Sequence, residues 1–119
     1  MKDGKLAPCP KSPNCVSTQV LDKKHRIEPL KYNTTLKEAK LKILDIVKSL
    51  KRTTVIDETE NYIHAEVRTR TFKFVDDVEF YFDDTEKIIH FRSAARVGWS
   101  DMGVNRKRMK KIRNLFLIN

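Results

Sequence analysis

The residues of this chain best suited to chemistry are histidines, arginines and carboxylates placed at every second position. Tyr62, His64, Glu66, Arg68 and Arg70 form one such series, and His90, Arg92 and Arg96 form another. Glu79 and Tyr81 lie between them. In a strand, that spacing sends all of these side chains to one face, opposite Ile63, Ala65 and Val67. Gathered there, Arg92 and Arg96 would offer planar forks to a carboxylate or phosphate. His64 is the candidate general acid or base, with Glu66 or Asp76 orienting it. The plain structural alternative is a solvated sheet face whose opposite charges pair across strands. The histidines stand in HAE and HFR, spacings that match no metal-ligand motif, so no metal is predicted on them. No nucleophile elbow, P-loop or dinucleotide fingerprint is present, so no cofactor is predicted and enzymatic activity is left open.

A second set lies near the C-terminus. Arg106 to Arg113 holds six positive charges in eight residues, directly after Asn105. Cations at a helix N-terminus oppose the helix dipole, which points to an anion or an acidic partner nearby. Asp76, Asp77, Asp83 and Asp84 of the same chain are one such partner. The chain of 119 residues carries 25 Lys and Arg against 16 Asp and Glu, a net charge of +9. Residues 1–52 and 100–119 are basic on balance, and residues 53–99 acidic. That asymmetry fits either a polyanion-binding surface or a lysine-rich solubilising one. With no RNP-like or helix-turn-helix motif, nucleic-acid binding reduces to non-specific phosphate attraction. Trp99, the one loop aromatic, reads as a packing residue.

Cys9 and Cys15 flank a proline turn. A local disulfide, two buried thiols, and a metal site with His25 as a third ligand and no evident fourth are the three readings, in that order. No apolar run approaches the roughly 20 residues of a membrane-spanning helix. Residues 1–10 show no export signal, which predicts a cytoplasmic, soluble chain unless a signal was removed.

The elements that must position these residues follow from periodicity. Residues 1–32 hold all four prolines and both cysteines and read as an extended arm over a body at 33–119, together one domain of 1–119. Thr35 and Glu38 match a capping box, opening a helix that runs to about residue 51. Its apolar stripe is Leu36, Ala39, Ile43, Leu44, Val47 and Leu50. Period-2 segments at 53–57, 62–70, 72–82 and 87–97 predict four strands with short antiparallel connections. Adjacent Asp76 and Asp77 predict a bulge in the third. In the fourth, Ile89, Phe91, Ser93, Ala95 and Val97 should face the core. A second helix follows at 104–117, with Met109, Ile112, Leu115 and Phe116 inward. The expected fold is therefore α+β, in the order α-β-β-β-β-α: a four-stranded meander with both helices on one face.

The segments PCPKSPNCVS (8–17), HAEVR (64–68), FVDDVEF (74–80), RSAARVG (92–98) and SDMGVNR (100–106) resemble the family called domain of unknown function 1499, found in bacteria and plastids. Many of its members carry an N-terminal hydrophobic segment or signal. The resemblance implies no established activity. It singles out Glu66, Arg68, Asp76, Asp77, Glu79, Arg92, Ser93, Arg96, Asp101, Asn105 and Arg106 as polar residues that packing does not require. A salt-bridge network and a site both explain such residues. The functional expectation is a domain binding a small anionic ligand or acidic partner, with Arg92, Arg96 and Arg106 supplying charge and Asn105 an orienting hydrogen bond. His64, Glu66, Arg68 and Asp76 complete the candidate site. The alternatives are an interaction module using its basic C-terminal helix on protein, nucleic acid or anionic membrane, and an enzyme using His64.

Overall fold

A computed structural model describes residues 1–70, 74–98 and 103–118. The elements are β1 (Cys15–Ser17), β2 (Leu30–Lys31), α1 (Leu36–Ser49), β3 (Thr53–Thr59), β4 (Tyr62–Arg68), β5 (Val75–Asp83), β6 (Ile88–Ala95) and α2 (Val104–Ile118). Thr35 caps α1 by accepting the Glu38 N–H at 3.1 Å, and its hydroxyl donates to the Glu38 carboxylate. Ala39, Ile43, Leu44, Ile46 and Val47 of α1 are buried, as are Met109, Ile112 and Phe116 of α2. They close one core with Ile63, Ala65, Val78, Phe80, Phe82, Ile89 and Phe91 from one face of the sheet. The architecture is α+β, because each helix has a single apolar stripe and the sheet a single apolar face to bury it on.

The predicted meander is present, but the sheet is larger than four strands. Its order is β1-β6-β5-β4-β3, and β2 also pairs with β6. The arm supplies both extra strands. Cys15, Val16 and Ser17 lie opposite Ala94, Ser93 and Arg92, and Leu30 lies opposite Ile89. An unpaired β6 would expose a row of amides and carbonyls, and the arm covers them.

The expected bulge at Asp76–Asp77 is absent. β4 and β5 pair in continuous register there, and the irregularity lies in β3, between Val55 and Asp57. Each aspartate has cationic partners on its own side of the sheet, so the strand needs no extra residue to separate them. The fourth strand stops at Ala95, and Val97 is exposed rather than core. Expectations for Phe72, Trp99 and Asp101 fall outside the described residues.

Candidate functional site

The outer face of β4, β5 and β6 gathers the first group of candidate residues. His64 on β4 meets Asp77 on β5, Nε2 to Oδ1, at 2.7 Å. Arg96, just past β6, forks onto the same carboxylate, with Nε to Oδ2 at 2.7 Å and Nη2 to Oδ1 at 2.8 Å. Its Nη2 also donates to Glu66, and Arg68 lies 3.5 Å from that carboxylate. Arg96 holds the Asp77 carboxyl below its ordinary range, with His64 assisting against the opposing effect of burial. The two carboxylates in turn raise the Arg96 guanidinium above its usual value. The charge of Arg96 is therefore compensated within the face.

Arg92 sits differently. Its Nη1 is 3.7 Å from Glu79, its Nη2 donates to the Pro8 carbonyl at 3.3 Å, and its Nε is buried without a hydrogen-bond partner among the described residues. Tyr62 donates to Glu79, and burial followed by that carboxylate pushes the phenol pKa upward.

Asn105 and Asp76 do not join this face. They lie beneath it, on the core side. Asn105 is fully buried and accepts the Ser93 hydroxyl at 2.6 Å, and its amide donates to the Asn14 carbonyl at 3.2 Å. Arg108 donates to Asn105 at 2.7 Å, to Ser93 at 3.1 Å and to Asp76 at 2.8 Å. A polar strand residue facing a helix is stable only when every group is paired in this way.

Arg106 occupies a third place. Its guanidinium donates to the carbonyls of Arg26 at 2.9 Å and Lys24 at 3.1 Å. One and two turns on, Lys110 and Arg113 share its helix stripe. Arg113 donates to the carbonyls of Glu28 and, at 3.4 Å, Pro29. Together with Arg26 these residues line a cleft of about 560 Å³ between α2 and the arm. Burial lowers the Arg113 pKa, with Glu28 opposing.

Cys9 and Cys15 lie at disulfide bonding distance, 2.06 Å between sulfurs. Both ring nitrogens of His25 are engaged, with Asp22 at 2.5 Å and the Ser12 carbonyl at 2.8 Å.

The family profile described as "Protein of unknown function (DUF1499)" matches residues 5–116. The chain belongs to the DUF1499 family. No curated protein matches it. The DUF1499 residues singled out from the sequence thus divide among three places. Glu66, Arg68, Asp77, Glu79, Arg92 and Arg96 share the outer face with His64; Asp76, Ser93 and Asn105 share the core network; Arg106 lies at the arm cleft. The network's Arg108 and the cleft's Arg26, Lys110 and Arg113 were not distinguished by sequence reasoning. The spacing 106, 110, 113 carried a signal for the cleft, since it is one helical stripe. Nothing in a run of six cations marked Arg108 as the buried one. No described helix is long and apolar enough to cross a membrane.

Proposed function

We propose that this DUF1499 domain binds a small oxyanion, the phosphate or carboxylate group of a ligand, in the cleft lined by Arg26, Arg106, Lys110 and Arg113. One observation carries the reading. The guanidiniums of Arg106 and Arg113 are held by main-chain carbonyls rather than by carboxylates. Carbonyls fix their orientation without cancelling their charge, whereas Arg96 is neutralised by Asp77 and Glu66. Among the described residues, the only acid lining the cleft is Glu28, whose side chain is 77% exposed and 3.8 Å from Arg26. Lys110 has no partner among the described residues and completes a convergent cationic set.

The test is a thermal-shift titration with inorganic phosphate at constant ionic strength. Phosphate raises the midpoint of the parent and of Arg96→Gln, and the response is lost in Arg106→Gln and Arg113→Gln. An unresponsive parent ends the proposal. Loss of the response in Arg96→Gln alone moves the site to the outer face, where the acid–base reading of His64 rests on its contact with Asp77.

A second reading, a larger acidic partner along α2, is favoured by the opposite flank of the helix. There Lys51, Arg52, Lys107 and Lys111 line another basic cleft, of about 440 Å³. It predicts that an extended polyanion binds far more tightly than phosphate, with affinity falling steeply as salt rises.

A further inference from the structure

The first eight residues form a strap across the outer face of the sheet. Gln19 holds it at two points: its side-chain oxygen accepts the Leu6 N–H at 2.8 Å, and its amide donates to the Gly4 carbonyl at 2.9 Å. Gly4 has φ +72°, and a Cβ there would meet the Tyr81 hydroxyl at 3.2 Å. Both the backbone angle and the close approach select glycine. The Arg92 bond to Pro8 and the Cys9–Cys15 link fasten the far end.

Between the strap and the chain that follows β1 lies a cleft of about 780 Å³. Leu6, Ala7, Pro8 and Val20 give it apolar walls, and Lys2 and Lys5 also line it. Neither ammonium has a partner among the described residues. Among the described residues no carboxylate lines the cleft; Asp3, in the turn between the two lysines, is outside the set. Pro8 and Ser17 line the same cleft, and both adjoin Arg92, through a hydrogen bond and through strand register. Arg92 itself is paired with Glu79 at 3.7 Å, so the positive charge lining the cleft is that of Lys2 and Lys5.

We propose that this cleft binds an amphipathic monocarboxylate, with its apolar chain along Leu6, Pro8 and Val20 and its carboxylate between Lys2 and Lys5. A hydrated inorganic anion leaves the apolar walls wet, and a neutral apolar molecule leaves two ammoniums uncompensated. The volume falls in the range of about 300–1,000 Å³ typical of sites with mostly apolar walls and a few polar groups. This site is separate from the α2 cleft and does not depend on it.

The experiment is an amide NMR titration of the full chain with dodecanoate, below its critical micelle concentration and at constant salt. Saturable shifts are expected at Leu6, Ala7, Gln19 and Val20, with the amides of α2 unmoved. Ala7 is exposed, so Ala7→Trp fills the cleft without entering the core. It weakens binding by about tenfold or more while the rest of its spectrum stays parental. Lys2→Glu with Lys5→Glu weakens dodecanoate binding and leaves that of dodecanol unchanged. The proposal is overturned if dodecanoate causes no saturable shift, if Ala7→Trp binds like the parent, or if dodecanol binds the parent as tightly as dodecanoate.

Discussion

Asp76 and Asp77 are chain neighbours that face opposite sides of one sheet, and each meets its own cation. Asp77 takes Arg96 and His64 on the outer face, and Asp76 takes Arg108 beneath. Asp77 is held below its ordinary 3.8, mainly by Arg96. A depressed carboxylate stabilises the fold above its unfolded pKa and loses that contribution as pH falls through the folded value. Thermal midpoints should therefore decline below pH 3.8, and Arg96→Gln should flatten that limb by removing the largest cause of the shift. His90 offers a second check. Burial lowers its pKa from 6.5, so its ring protons should titrate below that value by NMR. A His90 midpoint at or above 6.5 would contradict the burial seen on β6. The identities of both aspartates were plain in the sequence. Their separate partners were not, because Arg96 is 19 positions from Asp77 and Arg108 is 32 from Asp76.

At the scale of elements, α2 divides its six cations by direction. Arg108 turns toward the sheet; Arg106, Lys110 and Arg113 line the arm cleft; Lys107 and Lys111 line the opposite one. The Asp76–Arg108 pair is nearly closed to water, with side chains 5% and 12% exposed. Removing one member of such a pair strands the other charge. Asp76→Asn should cost about 3–5 kcal/mol in urea unfolding. The joint change Asp76→Leu with Arg108→Met should cost much less, since no charge is left unpaired. Equal losses in the two proteins would show that the pair carries no such penalty. The first helix was legible because its signals are local: a capping hydroxyl at Thr35 and one apolar stripe. The second was legible as a helix but not in its division of labour. A run of like charges has no internal contrast to show which member is buried.

For the whole molecule, the arm is what changes a meander into a larger sheet. It occupies the edge of β6, crosses the outer face as a strap, and supplies the carbonyls that hold Arg106 and Arg113. Its attachment rests partly on the Cys9–Cys15 link, a short loop whose closure is worth about 2 kcal/mol. Reduction should speed hydrogen exchange at residues 15–17 while β4 and β5 keep their protection. Uniform loss of protection would mean that the arm and the meander open as one unit. Composition, capping, period-2 alternation and short connections were enough to specify two helices, four meander strands and an α+β class, since each is a relation among residues a few positions apart. The edge pairing of β1 and β2 and the choice of ionic partners were decided only in three dimensions. A strand of two or three residues is too short to show a period. The partners of Cys15 and Val16 lie 79 and 77 positions away, at Ala94 and Ser93. Which charges are cancelled and which stay free depends on which carbonyls and carboxylates the folded chain brings beside them, and no local pattern records that.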